Sequence, residues 1–218
     1  MRAERRRWLL AAALTWVLLV VIGFAAVHYQ PHGSTLAAWW PTSGIAVAFL
    51  ARSPRAWRPL FLAAMPFAVA ISALWAGRPV FVSIALGVAN VTGTLVVMAV
   101  LARRSQGRVR LQTLEDLWLL LVATVVGSAV TGVMIAAALS SALGRPLVQT
   151  AISVMALNAA SVLLISPLGM DVSGPRTGAG RAELAAQSLL ALLALATLVL
   201  KQIVAWRMRH SEPEHDAT

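Results

Sequence analysis

Cysteine is absent from the 218 residues. That excludes disulfides, thiol nucleophiles, Cys-ligated zinc and iron–sulfur clusters. Charge is scarce as well. Only 12% of residues are Asp, Glu, Lys or Arg, about half of the roughly 25% usual in a soluble domain. No charged residue lies within 8–51, 59–77, 79–102, 117–144, 146–170 or 184–200. Hydrophobic residues make up 59% of the chain. Mostly apolar, charge-free runs of about 18 or more residues read as membrane spans. A water-soluble globular domain is therefore excluded.

The charge that is present has one dominant sign. Seventeen Arg and one Lys stand against eight acids, a net charge of +10. In a soluble protein such a balance would point to nucleic acid. Here the Arg residues flank apolar runs, where they meet lipid headgroups and set orientation. The partner they predict is the lipid bilayer, not nucleic acid.

Seven segments follow in order. Trp8–Val27 comes after Arg2, Arg5, Arg6 and Arg7. At 1.5 Å per residue it covers about 30 Å, the hydrocarbon thickness. It is longer than the core of a cleaved signal peptide and lacks a good cleavage site. Leu36–Ala51 is shorter and holds Trp39, Trp40 and Pro41. The tryptophans suit a membrane interface, and Pro41 suits a first helical turn with about ten helical residues beyond it. Trp57–Trp75 contains Pro66, which removes a backbone donor and predicts a kink. Pro79–Leu101, Leu114–Leu143, Leu147–Leu168 and Leu184–Val204 complete the set. Gly77-Arg78-Pro79 and Gly144-Arg145-Pro146 read as tight turns, and Gly169–Glu183 as a flexible linker.

The expected fold is all-α, a polytopic transmembrane helix bundle of about seven spans, or eight if one lies unrecognised. Residues 1–205 form the membrane domain and 206–218 a polar, disordered tail. Basic residues number four before the first segment, three between the second and third, four between the fourth and fifth and two between the sixth and seventh. The alternate loops carry none, one and one. That asymmetry puts the N-terminus in the cytoplasm. Lys201, Arg207 and Arg209, after the last segment, run against it.

Few residues inside the spans carry chemistry. Asn90 and Thr94 share one helix face at i, i+4, and Ala89 and Gly93 form a small-xxx-small pair beside them. Asn158 and Ser161 lie in the sixth segment, where Asn158 could face Asn90 across the bundle. For these residues a polar ligand pocket competes with plain helix packing. Ser128 and Gly132 read as packing residues. Thr113-x-x-Asp116, with Glu115, reads as a helix-capping box. His28 and His32 are four apart without a visible third ligand, so a solvated loop is the simpler reading. No Ser/His/Asp set, no H-E-x-x-H and no acid in the middle of an apolar run occurs. The expectation is no enzyme, no catalytic residue, no metal and no cofactor.

The order of these features resembles the MASE1 family, a bacterial integral-membrane sensory domain. Trp40-Pro41-Thr42-Ser43-Gly44-Ile45-Ala46 is similar to that family's W-P-x-(A/S)-G-I-A opening of an early span. Leu86-Gly87-Val88-Ala89-Asn90-Val91-Thr92-Gly93 resembles its G-N-T-containing span. Leu101-Ala102-Arg103-Arg104, Leu114-Glu115-Asp116-Leu117 and Ser166-Pro167-Leu168 fit in the same order. The sixth segment departs from the family in lacking an aromatic-rich start and an Asp; Asn158 sits near that place. The resemblance implies a multi-pass sensor of the bacterial inner membrane. Such sensors are typically fused to a histidine kinase or a cyclic-di-GMP enzyme.

The expected function is thus a membrane-embedded sensory or ligand-binding domain of signal transduction, without an output domain of its own. A separate cytoplasmic signalling protein or a homodimer would then be its partner. A small transporter, or a transporter's substrate-binding subunit, is the alternative. Trp40, Pro41, Gly44, Asn90, Thr94 and Asn158 are the candidate pocket or packing residues. Seven spans from a cytoplasmic N-terminus put the C-terminus outside. A reporter active on one side only, fused after Thr218, tests this. Cytoplasmic activity would require an even number of spans.

Overall fold

In hydrocarbon every backbone N–H and C=O must find a partner within the protein, which favours helices. The computed structural model describes residues 2–29, 40–103, 109, 111 and 113–170. Among these, the chain forms α1 (Arg2–His28), α2 (Thr42–Arg52), α3 (Arg58–Trp75), α4 (Val80–Ala102), α5 (Leu114–Leu143) and α6 (Leu147–Ile165). Short 3-10 turns occupy Arg55–Trp57 and Ser166–Gly169. The stretch His32 to Trp39, the linker beyond Met170, the seventh apolar segment and the tail lie outside the described residues.

Among the described residues, five stretches are long and apolar enough to cross a membrane: Ala3–His28, Arg55–Trp75, Val80–Ala102, Leu114–Leu143 and Leu147–Gly169. The second expected segment differs. Its helix, α2, has 11 residues. At 1.5 Å per residue that is about 16 Å, roughly half the hydrocarbon thickness. Pro41 precedes its first turn, and Ile45 N–H bonds the Pro41 carbonyl at 3.0 Å. A count of seven spans is not established, because α2 is a half-length helix and the last segment is not described. Pro66 does not interrupt α3, which runs on as one helix to Trp75.

Local chemistry sets the helix ends. Thr113 Oγ1 accepts from Asp116 N–H at 3.1 Å, and Asp116 Oδ2 accepts from Thr113 N–H at 3.0 Å. This capping box opens α5. Gly144 closes α5 with φ +64°, and Gly77 follows α3 with φ +83°. Side chains rarely adopt that left-handed region, so glycine belongs there. In both turns an Arg follows, then a Pro that precedes the next helix.

Sequential helices pack as antiparallel neighbours: α3 on α4, α4 on α5 and α5 on α6, with α1 on α3. The short α2 contacts α1, α3, α4, α6 and the 3-10 turn after α6. One buried cluster holds Leu19, Val47, Leu50, Met65, Val97 and Leu120. Another holds Val69, Val82, Leu86, Ala89, Ile135 and Leu139.

Apolar side chains gain little by leaving lipid for a helix interface, so close packing through small residues matters. At the α4–α5 crossing, a Cβ on Gly93 would meet Thr131 Oγ1 and lie 2.9 Å from the Gly127 carbonyl oxygen. At the α5–α6 crossing, a Cβ on Gly132 would come within 2.7 Å of the Ala151 carbonyl oxygen. The small-residue pairs read from the sequence are therefore helix contacts. Gly93→Val is expected to cost more than about 2 kcal/mol, because backbone lies behind the clash. Gly77→Ala meets no neighbouring atom and is expected to cost about 1 kcal/mol of backbone strain. Thermal unfolding of the two purified variants in detergent checks this order.

Candidate functional site

The first turn of α2 is tied to the middle of α4 by side chains. Trp40 stands just before Pro41, the residue that leads into the first turn of α2. Its Nε1–H donates to Asn90 Oδ1 at 2.9 Å. Ser43, within the first turn of α2, donates its Oγ–H to the same oxygen at 2.8 Å. Asn90 Nδ2–H donates to the Leu86 carbonyl one turn back, at 2.9 Å. Both lone pairs of Oδ1 are thus used, in a residue that is 1% exposed.

The opposite side of α2 lies on α6. Gly44 N–H, one of the donors left over at a helix start, bonds Ser161 Oγ at 3.0 Å. A Cβ on Gly44 would overlap the Ser161 carbonyl. One turn back along α6, Asn158 Nδ2–H donates to Ser128 Oγ of α5 at 3.0 Å. Asn158 is buried, and its Oδ1 has no hydrogen-bond partner among the described residues. Asn90 and Asn158 do not bond each other: the first bonds α2, the second α5.

Trp40 and Asn158 share the wall of a cavity of about 40 Å³. That is room for about three waters. Arg78, from the turn between α3 and α4, lines it too, and Val82, Leu86, Ile135, Leu139 and Val154 supply apolar wall. Burial pushes the Arg78 pKa below the ordinary arginine value, and the charge of Arg145 in the other Gly-Arg-Pro turn pushes it the same way. Arginine starts so high that it stays charged. The two turns therefore lie close together and make this end of the bundle positive.

The other end of α2 is fixed as firmly. Trp8 Nε1–H donates to Ser53 Oγ at 3.0 Å, and Arg58 Nε–H donates to the Ser53 carbonyl at 3.0 Å. A cation at a helix C-terminus complements the dipole and the free carbonyls. The Trp8 ring lies 5.3 Å from Trp57 and 6.0 Å from Phe49.

Of the residues singled out in the sequence, Trp40, Asn90 and Gly44 meet at the first turn of α2, and Asn158 bonds Ser128 of α5 instead. Pro41 acts through its backbone. Thr94 is buried one turn beyond Asn90, and its Oγ1 has no partner among the described residues. It does not line the cavity. His28 stacks on Phe24 with ring centres 5.0 Å apart. Sequence reasoning missed Arg78, Ser43 and Ser53 as parts of the arrangement. A serine's role here rests on its neighbour, which the local sequence does not show. For Arg78, the Gly-Arg-Pro turn marks a bundle end, but nothing local marks a cavity.

Asn90→Leu would leave two donors, from Trp40 and Ser43, without their acceptor inside the bundle. The expected cost is about 1–3 kcal/mol. Asn158→Leu removes one bond together with an oxygen that already lacks a partner, so a smaller loss is expected. Unfolding midpoints in one detergent test the ranking, and equal losses would contradict it.

Comparison with known proteins returns one family. The MASE1 family profile matches residues 8–216, nearly the whole chain. No curated protein and no solved structure matches it. The match fits the described bundle of apolar helices, and it is the family to which the Trp40–Ala46 and Leu86–Gly93 motifs point. The chain belongs to the MASE1 family of membrane-associated sensory domains and is a multi-pass membrane protein.

Proposed function

We propose that the chain perceives its signal inside the helix bundle, at the contact of α2 with α4 and α6, and passes it on through α2. The observation that carries this reading is that α2 is clamped at both ends by side chains rather than anchored by its own length. Its first turn holds Asn90 and Ser161. At its other end Arg58 donates to the carbonyl of Ser53, the residue just past α2, while Trp8 donates to the Ser53 hydroxyl. One clamp lies beside the cavity, and the other lies beside the Arg-rich segment Arg52–Arg58. A short helix held by a few hydrogen bonds can rest in two positions, and a ligand that favours one shifts the balance.

In this reading the N-terminus and the Arg52–Arg58 segment face the cytoplasm of a bacterial inner membrane, as the arginine asymmetry predicts. A separate cytoplasmic signalling protein, or a second copy of the chain, takes the output from there. The bundle acts as a receiver, with no catalytic group and no cofactor.

The chain is tested by placing it upstream of the diguanylate cyclase of a MASE1 sensor. Trp40→Phe and Ser43→Ala each remove one donor to Asn90. Both are expected to change cyclase output at least about threefold at equal membrane levels, the size of a shift of some 0.7 kcal/mol. Thr92→Ala, on the exposed side of α4, is expected to leave it unchanged. Output unmoved by both the Trp40 and the Ser43 variant would overturn the reading. Solute uptake into vesicles above that of empty vesicles would replace it with transport.

A further inference from the structure

A groove opens between the start of α1 and the turn into α3, at the far end of the bundle from the small cavity. It measures about 490 Å³, within the roughly 300–1,000 Å³ of pockets that hold small molecules. Its wall is layered. Glu4 and Arg5 stand at the rim, Trp8 and Trp57 come next, and Leu9 and Leu60 lie beyond them. Residues three and four apart share a helix face, so Arg5, Trp8 and Leu9 form one side of α1. Leu9 and Leu60 are both exposed, so no described part of the chain covers this apolar end of the groove. Two turns further along α1, Trp16 Nε1–H donates to the Ala64 carbonyl at 2.9 Å and closes α1 against α3.

This order of groups matches the boundary of a lipid leaflet, where tryptophan sits at the level of the headgroups and leucine in the hydrocarbon. A complementary molecule has an acyl chain for Leu9 and Leu60 and a polar head for the rim. Charge decides the head. The two segments that frame the groove carry Arg5, Arg6 and Arg7 on one side and Arg52, Arg55 and Arg58 on the other, against Glu4 as their one acid. That excess of positive charge favours an anionic lipid. Arg5 is exposed and makes no ion pair among the described residues. Glu4 narrows the choice, because its carboxylate repels a second negative charge and accepts a hydrogen bond from a hydroxyl. We infer that this groove binds one phosphatidylglycerol molecule, with its phosphodiester on Arg5, its glycerol head at Glu4 and an acyl chain along Leu9 and Leu60. Trp8 lines the groove and also donates to Ser53. The lipid would therefore lie against the clamp past the end of α2. That consequence rests on the reading of α2 as the place of perception; the lipid site does not.

The experiment is a titration of the purified full chain, in mild detergent at constant ionic strength, with phosphatidylglycerol. Retained lipid is counted by native mass spectrometry, and the unfolding midpoint is followed in parallel. Phosphatidylethanolamine with the same acyl chains and soluble glycerophosphoglycerol serve as comparisons. The expected result is one retained phosphatidylglycerol, bound at least about fivefold tighter than phosphatidylethanolamine, the worth of one arginine near an anionic head. Glycerophosphoglycerol, which lacks the acyl chains, should not bind in the same range. Arg5→Gln should level the two lipids. Arg6→Gln removes the same charge from a residue outside the groove wall and should change the affinity less than about twofold, as solvent screens it. Leu60→Trp, at an exposed position, fills the apolar part and should abolish retention. Phosphatidylethanolamine binding as tightly overturns the assignment. So does an equal loss in Arg5→Gln and Arg6→Gln, the result for a diffuse basic surface. Glycerophosphoglycerol binding as tightly as the lipid would overturn it in favour of a free-phosphate site. None of these readouts involves a signalling output. Lipid binding lost in Arg5→Gln with cyclase output unchanged would sever the link to α2 and leave the site standing.

Discussion

Helix α2 is too short to cross the membrane, and much of the described arrangement answers that constraint. A full-length span hides its unpaired backbone ends at the two interfaces. A half-length helix inside a bundle has at least one end among other helices, where no bulk water reaches. Its free N–H groups and nearby polar side chains must then be met by residues from elsewhere in the chain. Gly44 meets Ser161, Ser43 and Trp40 meet Asn90, and Ser53 meets Arg58 and Trp8. These bonds explain why an otherwise apolar protein keeps an asparagine and several serines in its interior.

The long helices follow a different logic. They are apolar on nearly every side, so hydrophobicity does not choose their neighbours. Close approach does. Gly93 and Gly127 bring α4 and α5 together, and Gly132 brings α5 against α6. Short turns with left-handed glycines keep consecutive helices antiparallel. The resulting wall of α4, α5 and α6 is the rigid partner against which α2 is held. The small cavity lies against this wall, lined by Val82, Leu86, Ile135, Leu139 and Val154 together with Trp40.

The site joins two kinds of polar group. Asn90 is satisfied at its oxygen and serves to hold α2. Asn158 ties α6 to α5 through Ser128, and its Oδ1 is sealed without a donor among the described residues. Unanswered acceptors are costly in an apolar interior and uncommon in folded proteins.

Helix limits were legible from the sequence because their signals are local. The segment Leu114–Leu143 agrees in both descriptions, since Thr113, Asp116 and Gly144 mark its ends within one turn. Pro41 marked the start of α2, and the charge-free blocks marked the five long spans. Membership of the MASE1 family was also within reach, because its motifs are contiguous stretches. The polar residues of interest could be named, but not their partners. Asn90 and Asn158 looked able to face each other; the structure gives the first to α2 and the second to Ser128 of α5. Arg78 read as a turn residue, and packing made it a cavity wall. The sequence by itself therefore determined the membrane setting, the helix ends and the family. Only the tertiary structure decided which polar groups meet and which is left unanswered. Helices that are apolar all round carry no stripe to show which face turns toward which neighbour, so those pairings arise from packing across the whole bundle.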